Sequence, residues 1–395
     1  MRFFATSFLL LVLTACGGGG GDSSSSSSQN ANLPSIYLSP NSVSVNVGSG
    51  SAENQNTLYV SVTICQPNTT ICKTVDNILL DTGSTGLRVF ASAVSSLQLN
   101  AATFNSAPII ECASFLSGFA WGPVKLADVK MSAEVASSIP IQILDDPGYS
   151  SIPSVCGGSQ GTQIAGSLKT NGILGISLFV NDSQNYFNCV PTIRNNCRIS
   201  LSSSLQVQNP VSAFKVNNNG VIVKLPSVGA SGESIVTGSL TFGIDTQSNN
   251  SSVGSNVIPT DSSGFFTTYF NNTTYTSSFI DSGSNALFFP SGSLSSVLVP
   301  CSSGTVLGFY CPSATQSYTA ALTLKNNVKA NVSFSVANAQ TLVASGNYAF
   351  SNIAGQIGGN LFDWGLPFFY GRSVFIGITG RSSSAGTGPY YAYTN

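Results

Sequence analysis

The sequence predicts an all-β protein, and three observations support this fold class. Only 7% of the 395 residues are charged, so the Lys- and Glu-rich faces of surface helices are scarce. Ser, Asn, Thr, Gly and Val are abundant instead, which is typical of short strands joined by polar turns. Short runs of alternating apolar and polar residues recur along the chain, and no long run has the period of a helix.

These alternating runs are separated by clusters of Asn, Gly, Ser and Pro, so each is predicted to be a strand bounded by turns. The runs are residues 42–47, 58–64, 139–144, 221–225, 239–244, 320–324 and 374–378.

The N-terminal region has the composition of an export signal. An apolar run, residues 3–13, is too short to span a bilayer and leads into Leu-Thr-Ala-Cys, which resembles the bacterial lipobox. We therefore predict a lipoprotein signal peptide over residues 1–16, with Cys16 lipidated; the alternative is an ordinary signal peptide with an incidental cysteine. Gly17 follows, where an inner-membrane retention signal would have Asp, so by analogy the outer membrane is expected, on its periplasmic or cell-surface face. A flexible Gly/Ser linker is predicted over residues 17–33.

Eight cysteines remain besides Cys16, and an even number in an exported chain predicts disulfides. Three pairs are close in sequence and the fourth is the remainder, although eight cysteines allow many other pairings. The predicted disulfides are Cys65–Cys72, Cys112–Cys156, Cys189–Cys197 and Cys301–Cys311.

Composition also excludes classes of function. The chain has no histidine, which excludes a Ser-His-Asp triad, a Cys-His pair and a His-built metal site. Its net charge of −1 provides no basic field for nucleic acid. Hydrolytic chemistry would need carboxylates or lysine, and we expect no metal or other cofactor.

An internal repeat indicates two similar halves. Residues 77–87 recur as residues 277–287, at a separation of 200 residues. Each copy places an aspartate, Asp81 or Asp281, after an apolar run and before a hydroxyl residue, a Gly and a Ser. Two such halves predict two lobes.

An apolar-Gly element follows each copy, at residues 172–175 and 357–359. We place the N-terminal lobe at residues 34–246, the C-terminal lobe at 247–382 and a tail at 383–395.

The repeated aspartates are candidate catalytic residues, although a lone Asp-Thr-Gly is more often a turn. If the two loops meet at a pseudo-twofold axis, their carboxylates cannot both ionise and must share one proton. One can then activate a water while the other protonates a substrate carbonyl.

The sequence resembles the pepsin-like aspartic peptidases, over about residues 57 to 380. The resemblance is carried by Asp81-Thr82-Gly83-Ser84, Asp281-Ser282-Gly283-Ser284, Asn171-Gly172-Ile173-Leu174-Gly175, residues 238–245 and residues 374–378. It implies a bilobal pepsin-like double β-barrel with pseudo-twofold symmetry and a central cleft, within an uncharacterised bacterial lipoprotein family of that fold.

The resemblance also implies roles for single residues. Asp81 and Asp281 would be the catalytic pair. The residues expected to support them are Thr82, Gly83, Ser84, Ser282, Gly283 and Ser284. The family's flap hairpin carries a tyrosine, whereas this chain offers Phe115, Phe119 and Trp121, which packing alone could equally explain.

The expected function is that of an aspartic-type endopeptidase, acting as a monomer on extended peptides or proteins and touching the membrane only through its lipid anchor. The alternative is a catalytically weak or inactive surface protein whose pepsin-like cleft binds a peptide, a glycan or a host protein.

Overall fold

The computed structural model describes residues 39–48, 55–156, 163–164, 168–188, 197–302 and 304–395. The protein is all-β, as predicted, with 47% strand and 10% helix. Residues 1–33, with the signal peptide, Cys16 and the linker, lie outside the described residues.

The strands alternate with turns rich in Asn, Ser and Gly, as the sequence pattern indicates. In the first half they are β1 (Ser42–Val47), β2 (Leu58–Cys65), β3 (Cys72–Asp81), β4 (Thr85–Phe90), β5 (Thr103–Phe104), β6 (Ala107–Pro108), β7 (Ile110–Phe115), β8 (Gly118–Met131), β9 (Glu134–Leu144), β10 (Gly172–Ile176), β11 (Asn185–Phe187), β12 (Arg198–Ile199), β13 (Gly220–Lys224) and β14 (Val236–Phe242).

The second half continues in the same way and contains a short α-helix. Its elements are β15 (Asn256–Pro259), β16 (Phe266–Phe270), β17 (Thr273–Ile280), β18 (Leu287–Phe288), β19 (Gln316–Thr323), β20 (Lys329–Val336), α1 (Ala339–Ala344), β21 (Ala354–Gly355), β22 (Leu361–Trp364), β23 (Ser373–Gly377), β24 (Ser382–Ser383), β25 (Gly386–Thr387) and β26 (Tyr390–Thr394).

Short 3-10 helices lie in the connections, at Ala91–Val94, Pro147–Tyr149, Ser203–Leu205, Pro210–Ala213, Gly292–Leu294, Gly304–Val306, Lys325–Asn327 and Leu366–Phe368.

The larger sheet of the described chain has fifteen strands, in the order β12-β11-β7-β8-β9-β4-β10-β3-β2-β1-β14-β13-β23-β26-β15. Strand β8 also pairs with β2, which closes β2, β3, β10, β4, β9 and β8 into a barrel-like ring. The inward side chains of this ring belong to the main apolar cluster, which includes Val62, Leu80 and Ile141.

The second half contributes a seven-stranded sheet, in the order β20-β19-β16-β17-β22-β18-β21. Its core is aromatic: Phe289 stacks on Phe362 with ring centroids 5.1 Å apart, and Phe362 stacks on Trp364 at 4.6 Å. Large rings suit this sheet because each buries much apolar area and also gains from stacked or edge-on contacts.

The larger sheet also joins the two halves of the chain. Strand β13 of the first half pairs with β23 of the second, and β26 lies between β23 and β15. Residues 383–395, predicted as a tail, contain a strand of this sheet. Tyr390–Thr394 is an inner strand with four buried residues.

Three of the predicted disulfides are confirmed: Cys65–Cys72, Cys112–Cys156 and Cys301–Cys311. Cys197 is also disulfide-bonded, but Cys189 lies outside the described residues. In the part of the chain that the structure describes, no helix is long and apolar enough to cross a membrane.

Candidate active site

The loop around Asp81 is held by three strands. Asp81 ends β3 and the chain returns as β4 from Thr85, while β10 inserts between them, parallel to β3 and antiparallel to β4. Gly175 of β10 lies directly beside the loop, since a Cβ at this position would stand 2.8 Å from backbone atoms of Ser84. The predicted Gly-Ile-Leu-Gly element therefore packs behind the first aspartate.

The loop around Asp281 has the same construction. β17 ends at Ile280 and the chain returns as β18, with β22 inserted parallel to β17 and antiparallel to β18. Gly365 corresponds to Gly175 of the first half. A Cβ on Gly365 would lie 2.0 Å from the carbonyl oxygen of Ala286, so this glycine also packs against its loop.

The assignment of residues 357–359 as the second apolar-Gly element is wrong. Gly358 and Gly359 are exposed, and a Cβ on either would meet nothing within 4 Å. The strand that pairs with β17 begins at Leu361, so the counterpart of residues 172–175 is residues 362–365.

The two loops meet through reciprocal hydrogen bonds between buried hydroxyl residues. Thr82 Oγ1 accepts from Ser282 N at 2.9 Å and donates to the carbonyl oxygen of Ile280 at 3.2 Å. Ser282 Oγ accepts from Thr82 N at 3.2 Å and donates to the carbonyl oxygen of Leu80 at 2.7 Å. Each hydroxyl thus binds backbone on both sides of the opposite aspartate.

These bonds place the carboxyl groups of Asp81 and Asp281 so close together that one backbone N–H reaches both. Gly83 N donates to Asp81 Oδ1 at 2.8 Å and to Asp281 Oδ1 at 3.1 Å. Gly283 N donates to Asp281 Oδ1 at 2.7 Å. A Cβ on Gly83 would lie 2.6 Å from Asp281 Cγ, so only glycine allows the backbone this close.

The outer carboxylate oxygens are bound by the two serines of the repeat. Ser84 Oγ donates to Asp81 Oδ2 at 2.5 Å, and Ser284 Oγ donates to Asp281 Oδ2 at 2.8 Å. All six residues that the sequence analysis placed around the aspartates therefore lie at the pair.

Burial and a neighbouring carboxyl favour the protonated form of Asp281. Asp81 is 7% exposed and Asp281 is 9% exposed. Burial first, then the neighbouring carboxyl of Asp81, raise the pKa of Asp281 well above its ordinary value. One of the two carboxyls can therefore keep a proton where isolated aspartates would have lost theirs.

A third acidic residue, Asp363, lies at this site and was missed by the sequence analysis. It is 1% exposed and belongs to β22, where it pairs with Phe279 of β17. The signal that could have revealed it is Trp364-Gly365, an apolar-Gly pair just ahead of the apolar run 366–370.

A buried ionic network also escaped the sequence analysis. Arg88 follows the first loop on β4, and its guanidinium contacts the carboxylates of Glu111 and Asp182 at 2.7 Å each. Asp182 in turn accepts from Tyr186 Oη at 2.6 Å. Arg88 thus ties the first loop's returning strand to Glu111 of the hairpin strand β7.

The aromatic residues predicted for a flap lie on the β7–β8 hairpin but are packed into the first half. Phe119 and Trp121 are buried, and the Trp121 indole contacts Phe187 and donates to the carbonyl oxygen of Tyr149 at 2.9 Å. Phe115 is half-buried in a neighbouring apolar cluster, and Leu116 is exposed at the tip of the hairpin.

A cavity of about 450 Å³ borders the second loop at Asn285, with Phe309, Tyr348 and Ile353 among its walls. Among the described residues, no group of three or more His, Cys, Asp or Glu side chains could hold a metal ion.

Fold and site together define a class: an all-β protein in which two matching Asp-hydroxyl-Gly-Ser loops, one from each half, pair their buried carboxyls. The chain belongs to the family described as "Protein of unknown function (DUF3443)", whose model matches residues 38–393. No curated protein gives a significant match.

Proposed function

We propose that the protein is an aspartic-type endopeptidase of the pepsin-like kind, with Asp81 and Asp281 as its catalytic pair. The observation that carries this proposal is the paired, buried carboxyls, bridged by Gly83 N and held by equivalent bonds from two repeated loops. Two acids in such an arrangement share a proton, which is the state that acid–base hydrolysis needs.

The chemistry follows from that shared proton. The ionised carboxylate removes a proton from a water molecule, whose oxygen attacks the peptide carbonyl carbon, while the protonated partner transfers its proton to the carbonyl oxygen. The resulting gem-diol then collapses: one of its hydroxyls returns a proton to the carboxylate of the pair, the C–N bond breaks and the nitrogen takes the proton held by the other carboxyl. A carboxylic acid and an amine leave, and the pair again holds one proton. No covalent bond to the protein forms, so a chain without histidine can perform the reaction.

An extended peptide is the substrate class that we propose. Strand-like peptides bind through backbone hydrogen bonds with alternate side chains in pockets. We propose that the cavity bordered by Asn285, four residues after Asp281, receives one such side chain. We further propose that the enzyme is an exported, lipid-anchored monomer with its two lobes arranged as a pepsin-like double barrel.

A second candidate is a pepsin-like surface protein that binds a peptide, glycan or host protein without cleaving it. The hairpin favours it, because Phe119 and Trp121 are buried and no tyrosine lies on β7 or its turn. The intact pair of aspartates opposes it.

The test is incubation of the exported chain with a denatured protein, from pH 3 to pH 8, with and without a statine-type inhibitor. We expect cleavage that the inhibitor blocks and that Asp81→Asn and Asp281→Asn each reduce by at least about a hundredfold, since each removes an acid–base group.

The matched control is Asp76→Asn, which removes an exposed aspartate from β3 and should leave cleavage unchanged. Cleavage that persists in both catalytic variants would be due to a contaminant. A folded protein that cleaves nothing across the pH range would favour the binding candidate.

A further inference from the structure

Asp363 lies directly behind the second aspartate. Its strand, β22, runs parallel to β17 and places Asp363 beside Phe279, two residues before Asp281. The next residue, Trp364, accepts from Asp281 N through its carbonyl oxygen at 3.1 Å. Asp363 is therefore in the layer that supports the Asp281 loop.

The equivalent position in the first half is apolar. The register of β10 on β3 pairs Ile173 with Leu79, two residues before Asp81, just as Asp363 pairs with Phe279. An aspartate at an otherwise apolar, buried position costs folding free energy, so it calls for a functional explanation.

The contacts of Asp363 lead to the catalytic pair. The Ser284 hydroxyl acts on the carboxyl of Asp363 and by itself lowers its pKa, against the larger effects of burial and of Asp281. The same hydroxyl donates its single proton to Asp281 Oδ2 at 2.8 Å, so a hydrogen bond between Ser284 and Asp363 has to be donated by Asp363. Its Oδ1 is buried without a hydrogen-bond partner. The charged or titratable groups that act on it are Asp281, Asp81 and Tyr391, so no cation within the described residues faces it.

We propose that Asp363 is a neutral carboxylic acid that donates a hydrogen bond to Ser284 Oγ and thereby directs the Ser284 hydroxyl toward Asp281. This inference rests on the proposed function, for which Asp363 is a positioning residue.

The protonation state follows from the surroundings. Burial, and then the carboxyl of Asp281, raise the pKa of Asp363 well above its ordinary value. A protonated carboxyl has an O–H to donate, whereas a carboxylate can only accept. A hydroxyl that accepts a hydrogen bond becomes a better hydrogen-bond donor. The series of hydrogen bonds from Asp363 through Ser284 to Asp281 therefore stabilises the ionised form of Asp281.

The first arm of the test measures thermal unfolding of the wild type and of Asp363→Asn between pH 4 and pH 7. An acid kept neutral in the folded state but ionised in the unfolded state loses stability as pH rises above about 4. We therefore expect the Tm of the wild type to fall relative to that of Asp363→Asn by a few degrees over this range. A difference that is constant or has the opposite sign overturns the proposal.

The second arm measures the acidic limb of the activity profile. Asp363→Ala removes the donor, so the limb should move up by about half to one pH unit, because the ionised pair is less stabilised. Asp363→Asn keeps an N–H donor and should leave the limb in place. If both variants move the limb down, Asp363 was a negative charge and the proposal fails.

Ser284→Ala should shift the limb in the same direction, and Asp363→Ala should add nothing to it, because both act through one hydroxyl. If Asp363→Asn does not fold, the comparison of Ser284→Ala with the double variant Ser284→Ala/Asp363→Ala tests the proposal instead. If the wild type cleaves nothing, the peptidase proposal fails, while the unfolding arm, which needs no turnover, still decides whether Asp363 is neutral.

Discussion

At the scale of single residues, the hydroxyls of Thr82 and Ser282 connect the two loops by hydrogen bonds. Each is fully buried, and each both accepts a backbone N–H and donates to a backbone carbonyl on the opposite loop. Both loops lose alignment if either hydroxyl is lost, because a buried N–H is then left unpaired.

Thr82→Val, which keeps the shape but removes the hydroxyl, should lower the free energy of unfolding by about 1–3 kcal/mol. Activity should fall further than this loss of stability explains, since the carboxyls are no longer aligned. Urea unfolding and cleavage rates measure the two effects. Thr63→Val is the control, because its hydroxyl pairs with Thr74 at an exposed position; an equal loss in both variants would contradict the assigned role.

The raised pKa of Asp281 makes stability depend on pH. The folded state holds a proton that the unfolded chain releases at about pH 4, so the stability contribution is complete below that pH and is lost as pH rises toward the folded pKa. Asp281→Asn should therefore gain stability relative to the wild type between pH 4 and pH 7. Denaturant midpoints across this range check the sign. If the midpoint of Asp281→Asn falls relative to that of the wild type as pH rises, the pair does not share a proton.

The sequence predicted Asp81 and Asp281 but not Asp363, and the reason is physical. Asp81 and Asp281 sit in repeated loops, so their pairing follows from spacing and symmetry. Asp363 depends on the register of β22, and Gly358-Gly359 offered a better local match to the apolar-Gly pattern. A strand register is set by tertiary packing, which local composition does not contain.

At the scale of elements, a buried ionic network fixes the β7–β8 hairpin to strand β4, which follows the Asp81 loop. Arg88 on β4 is 1% exposed and pairs with both Glu111 on β7 and Asp182 in the connection before β11. Burial raises the pKa of Glu111 well above its ordinary value, and the Arg88 guanidinium opposes that rise. The hairpin is thereby held through charge as well as strand pairing.

Arg88→Met should destabilise the protein by about 3–5 kcal/mol, because two buried carboxylates lose their counterion. Adding Glu111→Gln and Asp182→Asn should recover part of this loss, since no uncompensated charge then remains. Guanidinium unfolding measures both variants. A single variant that unfolds like the wild type would show that the network adds nothing to stability. This network could not be predicted from local pattern, because Glu111 and Asp182 lie 23 and 94 residues from Arg88 along the chain.

At the scale of the whole molecule, the two halves are joined by continuous pairing in the larger sheet. β13 and β14 from the first half continue into β23, β26 and β15 from the second. The alternating pattern predicted β13, β14 and β23 as strands of separate lobes, but it predicted neither β15 and β26 nor the shared sheet. Pairing between distant segments leaves no local mark on the sequence.

Removing strand β26 from that sheet tests how much the sheet contributes to joining the two halves. Tyr390, Tyr391 and Tyr393 are at most 4% exposed, and the strand pairs on both edges, with β23 and β15. Burying each ring contributes about 2 kcal/mol, and the strand's hydrogen bonds add to this, so its loss is comparable to the whole stability of a domain.

Deletion of residues 390–395 should therefore yield protein without a cooperative unfolding transition, whereas deletion of the exposed Asn395 alone should leave the transition in place. Because β15 would lose its described strand partner, the effect should reach beyond the deleted strand to the joint between the halves. Supplying residues 386–395 as a synthetic peptide should restore folding, because the peptide can pair with β23 and β15 as the deleted strand does. A truncated protein that unfolds cooperatively at the wild-type denaturant midpoint would mean that the halves associate through the paired loops alone.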